Sequence, residues 1–129
     1  KIKANKMLKP FPVHLGGPVE PYRGFILHSL DYFQEEETMD IDNILGMTST
    51  LDIIEDILDN TGPKTFFIAL GYAGWEAGQL EIEIKNNGWL VSDSNVDIIF
   101  QKDTSKKWEA ALKILGIDPI LLSSNGGTA

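Results

Sequence analysis

The residues with the clearest chemical potential lie in a glycine-rich run, Gly71 to Gln79, which holds three glycines and two aromatic residues. An apolar run, Thr65 to Leu70, comes before it, and a segment with helical periodicity follows. The pattern predicts a strand that turns sharply and continues as a helix. Backbone N–H groups at such a helix start can bind an anion, and this arrangement often builds a ligand pocket.

Charge and spacing both oppose an anion site in this run. Glu76 lies in the first helical turn, and Glu81 and Glu83 follow, so the local field is negative. No Gly-Lys-Ser/Thr sequence follows, and the glycine spacing does not match a dinucleotide-binding loop. The alternative is that the glycines allow close packing while the aromatic residues fill the core. The candidate binding residues of this run are Gly71, Tyr72, Gly74, Trp75 and Gln79.

A second candidate region extends from Gly16 to His28. Its Gly16-Gly17 pair breaks a predicted strand, and Arg23 is the only base among eleven acids between Glu20 and Asp59. An arginine in that position could bind a carboxylate or phosphate through two parallel hydrogen bonds. Neutralising the neighbouring acids is the alternative role. If this loop and the glycine-rich run lie side by side, Gly16, Gly17, Arg23 and His28 join the candidate surface.

Catalytic and metal chemistry have little support in the sequence. His14 and His28 lie on predicted strands that could be neighbours and could bind a metal with Glu20, but no Glu-x-x-His or His-x-x-x-His spacing supports this. The chain has no cysteine, and no serine lies in a Gly-x-Ser-x-Gly sequence. We therefore assign no catalytic residue, no metal site and no cofactor, and favour a protein that is not an enzyme.

Composition narrows the class of protein. The chain has 129 residues, 43% hydrophobic and 23% charged, with a net charge of −8, which is typical of one globular domain. No apolar run is long enough to cross a membrane, and the missing cysteines fit a cytoplasmic location. The acidic charge argues against direct nucleic-acid binding, although lysines at 1, 3, 6 and 9 make the N-terminus basic. The best basic group on a predicted helix is Lys106, Lys107 and Lys113, which are few.

The elements that would position these residues follow from periodicity and turn chemistry. Strands are predicted at 11–15, 24–28, 44–47, 64–70, 89–91 and 96–100. Helices are predicted at 51–58, after the glycine-rich run as far as 85, at 104–115, and briefly from Asp118. The apolar face of the first predicted helix is Leu51, Ile54 and Leu58, reinforced by Ile53 and Ile57. A turn is predicted at 19–22, because it holds a proline, and an exposed loop at 31–42.

Two long motifs and a C-terminal one carry a family resemblance. The first is Gly-Gly-Pro-Val at 16–19 with Arg-Gly-Phe-Ile-Leu-His at 23–28. The second is Ala-Leu-Gly-Tyr-Ala-Gly-Trp at 69–75 with Gly-Gln-Leu-Glu at 78–81 and Trp-Leu at 89–90. Trp108 and the segment 115–119 complete the pattern. Together they resemble the YqgE/AlgH family of uncharacterised bacterial proteins over nearly everything after Phe11.

The resemblance implies an α+β fold with a small closed β-barrel and a branching mixed sheet surrounded by helices. It also implies a link to transcriptional regulation, with no established enzymatic activity. Family members normally carry a longer N-terminal segment with further strands, so we expect residues 1–129 to be a single domain that is a C-terminal fragment. Such a fragment could leave a sheet edge exposed, and a second copy could pair there to form a homodimer.

Three functional hypotheses follow. The first is a non-enzymatic cytoplasmic protein that binds an unknown protein partner in a regulatory pathway. The second is a direct transcriptional regulator, although we find no helix-turn-helix pattern. The third is a small-molecule-binding protein or enzyme that uses Arg23, His28 and the glycine-rich run, and it requires a concave pocket beside them.

Overall fold

The structure is a computed structural model that describes residues 11–122. The chain divides into two compact units: the first ends at Ala73, and the second begins at Gly74. The first unit holds all the strands of the described residues and one helix, and the second holds helices. This confirms the predicted α+β class. The division falls inside the glycine-rich run, and a single domain over 1–129 stays a prediction.

The first unit is built on one five-stranded mixed sheet. Its strands are β1 (Val13–Leu15), β2 (Val19–His28), β3 (Thr38–Ile41), β4 (Leu45–Thr48) and β5 (Phe66–Tyr72). Their order across the sheet is β1-β5-β2-β4-β3. β1 runs parallel to β5, whereas the other neighbouring strands are antiparallel. The apolar run before the glycines therefore has a strand on each side, as a buried strand should.

The predicted barrel is not confirmed. In the described residues the sheet is open and unbranched, with β1 at one edge and β3 at the other. The prediction that His14 and His28 lie on neighbouring strands is wrong, because β5 lies between β1 and β2. His14 is opposite Ala69 on one side of β5, and His28 is opposite Phe66 on the other side. The two histidines therefore cannot form the proposed metal pair through adjacent strands.

Helix α1 (Leu51–Leu58) forms where the periodicity predicts it. Its N-cap is Thr50, but the threonine hydroxyl makes no capping hydrogen bond. The buried residue of the helix is Ile53, which is 0% exposed, whereas Leu51 of the predicted face is 65% exposed. The helix ends at Leu58, and Asn60 just beyond it adopts a left-handed conformation at φ +60°.

Two predicted irregular segments are in fact strands. Val19–Tyr22, predicted as a turn, begins β2, although the strand is interrupted: Val19 is opposite Tyr72, and Gly24 is already opposite Leu70. Between Val19 and Gly24, β2 has more residues than the part of β5 opposite it, as in a β-bulge. Glu20, in this stretch, has a left-handed conformation at φ +45°. The predicted loop at 31–42 contains β3, whose pairing with β4 supplies order that its polar sequence does not indicate.

The second unit consists of short helices: α2 (Gln79–Lys85), α3 (Val96–Ile99) and α4 (Lys107–Ile114). One turn of 3₁₀ helix precedes α4, and another follows at Pro119–Leu121. The strands predicted at 89–91 and 96–100 are wrong, since the first is irregular and the second is α3. Asn95 explains the error, because its side chain accepts a hydrogen bond from Ile98 N and starts a helix there.

Candidate functional site

Two glycine segments meet at one end of the first unit's sheet, and we call this contact the glycine arch. Gly16 N donates a hydrogen bond of 2.7 Å to Leu70 O. A Cβ atom at Gly16 would lie 2.2 Å from Gly71 O, and one at Gly17 would lie 2.2 Å from the carbonyl carbon of Tyr72. The arch is thus a contact of backbone against backbone that admits no side chain. The structure brings Gly16, Gly17, Gly71 and Tyr72 together.

Gly71 has a second reason to be glycine. Its φ is +75°, a left-handed conformation that L side chains rarely adopt. Its added Cβ would lie 2.4 Å from Gly17 O and 3.1 Å from Pro21 Cα. The same residue therefore allows β5 to turn and lets the 16–21 segment cross it closely.

A row of one cationic and two aromatic side chains lies next to the glycine arch. The guanidinium carbon of Arg23 lies 5.1 Å from the ring centre of Phe25, a cation–π distance. The Phe25 ring meets Tyr72 edge to face at 5.7 Å. Arg23 also lies 3.4 Å from Glu20, but both side chains are about half exposed, so this ion pair stabilises little. The guanidinium thus has a fixed position and remains accessible.

Two large apolar side chains next to the arch are almost fully exposed. Leu15 is 95% exposed and Tyr22 is 94% exposed, and Tyr72 is 38% exposed. Single exposed apolar residues are common, but these three flank the same backbone contact. Leu15 and Tyr22 are not among the candidate residues predicted from the sequence. The sequence signal for their exposure was their position next to Gly16 and Arg23. Tyr22 lies in the interrupted part of β2, and an interrupted strand does not bury alternate side chains regularly.

Gly74, Trp75 and Gln79 belong to the second unit, where Trp75 and Gln79 have local partners. The Trp75 ring meets Trp89 edge to face at 5.9 Å, and Trp89 Nε1 donates to Glu83 Oε1 at 2.9 Å. Gln79 Oε1 accepts a hydrogen bond from Glu76 N. Trp75 is half-buried and Tyr72 is 38% exposed, so neither aromatic fills the core as the packing alternative predicted. A role for Gly74, Trp75 and Gln79 in binding stays a prediction.

His28 is not an exposed member of the candidate surface. It is 0% exposed, and both ring nitrogens have hydrogen-bond partners: Ser29 O at 2.9 Å and Thr48 Oγ1 at 2.8 Å. His14 is half-buried and stacks on the Phe67 ring at 4.2 Å. Across residues 11–122, no group of three or more His, Cys, Asp or Glu residues could hold a metal ion.

A polar cluster at the other end of β2 fixes the start of β5. Asp31 accepts a hydrogen bond from the Ser29 hydroxyl and another from Lys64 N, at 3.0 Å. Thr65 N donates to Ser29 Oγ at 3.1 Å, and Ser29 N donates to Thr65 O at 2.9 Å. The Ser29 hydroxyl holds the pKa of the Asp31 carboxyl below its ordinary value, against a smaller opposing effect of burial. The cluster thus depends on an ionised Asp31.

Acid is expected to weaken this cluster. Because the pKa of Asp31 is lowered in the folded state, its contribution is present above the unfolded pKa and is lost as pH falls through the folded one, below about pH 4. We expect the urea midpoint to fall less between about pH 7 and pH 3 in Asp31→Asn than in the unsubstituted protein. The exposed Asp93→Asn is the control and should follow the unsubstituted protein. Equal acid dependence in Asp31→Asn would contradict the expectation.

A half-open groove of about 570 Å³ lies elsewhere in the first unit. Its lining is mixed, with apolar side chains beside the polar side chains of Asn60 and Lys64 and exposed backbone. This volume falls in the range of small-molecule sites. However, neither Arg23 nor His28 nor the glycine arch lines it, so it is not the pocket that the small-molecule hypothesis requires. The residues that line it are Phe11, Ile57, Leu58, Asn60, Gly62, Pro63, Lys64 and Phe66.

No helix within residues 11–122 is long and apolar enough to cross a membrane. The helices of this part of the chain have at most eight residues, which is far short of the length of about 20 residues that a bilayer requires.

The chain matches known proteins along most of its length. A family model described as AlgH-like matches residues 1–120. A UPF0301 protein of Ruegeria pomeroyi is 52% identical over 92% of this chain and 64% of the relative. A UPF0301 protein of Jannaschia is 51% identical over 92% of this chain and 62% of the relative.

A solved structure has the same fold. The solution structure of the AlgH protein from Pseudomonas aeruginosa superposes with a TM-score of 0.74 at 35% identity. The match covers 98% of this chain and 68% of that one. The chain therefore spans about two thirds of this structure and slightly less of the first two relatives. On these matches, the chain belongs to the AlgH-like family, the UPF0301 proteins.

Proposed function

We propose that this protein is a non-enzymatic, cytoplasmic binding protein that acts in regulation by recognising a protein partner. Its binding surface in the first unit is the arch surface, which we define as Leu15, Tyr22, Arg23 and Tyr72. The observation that carries the proposal is the exposure of these side chains around a backbone contact that excludes any Cβ atom. The predicted residues Gly16, Gly17 and Gly71 build the support of this surface.

The chemistry of the arch surface suits a protein partner. Tyrosine and arginine are enriched among residues that dominate binding energy, because they combine a large apolar area with hydrogen-bonding groups. Tyr22 offers almost its whole side chain to a partner, and Leu15 adds aliphatic area. Arg23 provides a guanidinium that is accessible to a partner's carboxylate or carbonyl groups.

The arch would also lower the entropy lost on binding. The backbone of 16–17 is fixed against β5 by the 2.7 Å hydrogen bond and by close contact, and Arg23 is held on the Phe25 ring. A surface that is already ordered loses less conformational freedom when a partner binds. This supports recognition by a preformed surface instead of by folding on contact.

Direct regulation of transcription by DNA binding has weaker support. The net charge of −8 would repel a phosphate backbone, and α4 carries Lys107 and Lys113 beside an acid, Glu109. The regulatory role we propose is therefore exerted through a protein. Gly74, Trp75 and Gln79 of the second unit remain further candidates for contact with it.

A matched set of variants tests this function. The protein and its Tyr22→Ala/Arg23→Ala variant would be used as baits in an extract of cells that carry the gene, with quantitative mass spectrometry of the captured proteins. Phe33→Ala is the control, since Phe33 is an exposed aromatic of the same unit away from the arch. We expect one partner to be captured by the protein and by Phe33→Ala, and at least tenfold less by the double variant.

Circular dichroism would first establish that the three baits are equally folded. A partner captured equally by all three baits would contradict the arch surface as the binding site. Salt-dependent binding of the purified protein to DNA at about 50 mM salt would instead favour the direct regulator. Loss of binding in Phe33→Ala alone would move the site to the 31–42 segment.

A further inference from the structure

A chain of hydrogen bonds crosses three strands of the first unit through two buried side chains and the half-buried Thr38. His28 Nδ1 lies 2.9 Å from Ser29 O, and His28 Nε2 lies 2.8 Å from Thr48 Oγ1. Thr48 Oγ1 is in turn 2.8 Å from Thr38 Oγ1, which accepts a hydrogen bond of 3.0 Å from Gln34 N. His28 and Thr48 are both fully buried. The chain therefore connects the middle of the sheet with the edge strand β3.

The two ends of this chain fix the roles of its terminal groups. A carbonyl oxygen can only accept, so His28 Nδ1 must carry a hydrogen, whereas the backbone N–H of Gln34 can only donate. With a neutral imidazole, Thr38 donates to Thr48 and Thr48 donates to His28 Nε2. Each hydrogen then has an acceptor. The neutral His28 tautomer with its hydrogen on Nδ1 is therefore the state that we assign, because it leaves no hydrogen of the chain unpaired.

Protonation of His28 would disrupt the chain. A hydrogen on Nε2 must be donated to Thr48 Oγ1, which can no longer donate to the ring. The Thr48 hydroxyl then either donates to Thr38, or accepts from both neighbours and leaves its own hydrogen without a partner. In both cases one hydroxyl hydrogen of the chain has no acceptor among the hydrogen bonds of residues 11–122. The loss of this hydrogen bond and the buried charge on His28 are both costly.

We propose that this chain is a proton-sensitive latch on β3: neutral His28 holds the edge strand to the sheet, and protonation of His28 loosens it. The inference is independent of the proposed binding function, because it concerns the opposite edge of the sheet from β1. Loosening of β3 would expose the outer edge of β4, with which residues 38–41 of β3 are paired.

The groups around His28 do not offer a counter-charge in contact with it. The Tyr32 ring meets the imidazole edge to face at 5.5 Å, and Tyr32 Oη donates to Asp56 Oδ2 at 2.6 Å. The Asp31 carboxylate is engaged by Ser29 and by Lys64 N. From β4, Gly46 presents only backbone, and a Cβ there would lie 2.7 Å from His28 Cε1. From β5, the residue opposite His28 is the apolar Phe66.

Strand β3 is the element that we expect to open when water reaches the protonated His28 ring. It has four residues, lies at the edge of the sheet and pairs only with β4 within the described chain. Its Met39 and Asp40 side chains are exposed, and Thr38 is the outer member of the hydrogen-bonded chain. Short edge elements open locally at lower free energy than interior strands, so water reaches the imidazole most easily from this side.

Amide hydrogen exchange tests the latch on the full protein. Exchange would be measured between about pH 7.5 and pH 5 and corrected for the pH dependence of chemical exchange itself. We expect opening of Thr38–Ile41 to increase about tenfold over this range, whereas opening of β1, the other edge strand, does not change. No increase in β3 beyond the correction would overturn the proposal.

Two histidine variants separate the latch from general acid effects. His28→Asn keeps a hydrogen-bonding side chain that cannot be protonated in this range, and its β3 opening should not vary with pH. His14→Gln is the matched control and should keep the full tenfold increase. A pH-dependent β3 in His28→Asn would overturn the proposal.

A measurement on the unsubstituted protein covers the case in which His28→Asn does not fold. Imidazole ¹⁵N chemical shifts report which ring nitrogen carries hydrogen. For His28 at about pH 7.5 we expect the neutral ring with hydrogen on Nδ1, the less common tautomer in water. A ring protonated on Nε2, alone or on both nitrogens, would overturn the assigned direction of the chain and with it the latch.

Discussion

Replacing Gly71 by alanine is expected to lower the free energy of unfolding by roughly 3 kcal/mol or more. Two costs add at this residue. Its φ of +75° disfavours any side chain, and the new Cβ would lie 2.4 Å from Gly17 O. The neighbouring backbone cannot yield as a flexible side chain would, because Gly16 N is bonded to Leu70 O. A loss of this size is a large fraction of the total stability of a small domain.

Urea unfolding followed by circular dichroism would measure this loss, with two other glycines as controls. Gly78 also has a positive φ, of +82°, but nothing lies within 4 Å of its added Cβ, so Gly78→Ala should cost only about 1 kcal/mol. Gly24 has neither feature, since its nearest neighbour would be 4.0 Å away, and Gly24→Ala should change stability by less than about 1 kcal/mol. Equal losses in Gly71→Ala and Gly78→Ala would show that the close contact in the arch contributes nothing.

The glycine variants also separate the support of the arch surface from its side chains. Gly71→Ala would displace the 16–21 segment while leaving Leu15, Tyr22 and Arg23 in the sequence. If the proposed partner binds through a preformed surface, binding should fall in Gly71→Ala and remain in Gly24→Ala. Binding that survives displacement of the arch would mean that the side chains act without their backbone support.

Local sequence patterns predicted the helices and strands that are determined by residues close together in the chain. The run before the glycines became β5, and the period of apolar residues at 51–58 became α1. The short helix at Pro119 also follows its sequence signal, because the Asp118 side chain caps it. At these positions the hydrophobic pattern and the terminal residues point to the same structure.

The errors arose where one signal competed with another. Val96, Ile98 and Ile99 have high strand propensity, yet Asn95 caps a helix there. The 38–41 segment, Thr-Met-Asp-Ile, is short and lies in an acidic stretch that is typical of a loop, and its pairing with β4 is a tertiary effect. Propensity is a weak guide in both cases, since a single cap or a neighbouring strand supplies more free energy than the local preference.

The candidate site could be anticipated only in part. The glycines indicated a close backbone approach, but Gly17 and Gly71 are 54 positions apart, and no pattern shows which backbone each one meets. The burial of His28 was missed for the same reason, because its partner Thr48 lies on another strand, 20 residues away. Contacts of this kind depend on strand order, which a single sequence does not reveal.

Helix α1 offers the second prediction with a large effect. Ile53 is 0% exposed, so Ile53→Ala removes buried methyl groups and leaves a cavity. We expect it to lower the free energy of unfolding by about 2–5 kcal/mol, measured by urea unfolding. Helix propensity does not offset this loss, because it favours alanine over isoleucine by only about 0.4 kcal/mol.

Leu51 of the same helix is the matched control, and it also tests the face that periodicity predicted. Leu51 is 65% exposed, so Leu51→Ala should change stability by less than about 0.5 kcal/mol. Both substitutions shorten an apolar side chain on the same helix, so their difference measures burial in the first unit and not the propensity of α1. A larger loss in Leu51→Ala than in Ile53→Ala would mean that the helix presents the 51, 54 and 58 face to the core. In that case Ile53 would be the exposed residue, and α1 would have to be rotated about its axis relative to the sheet.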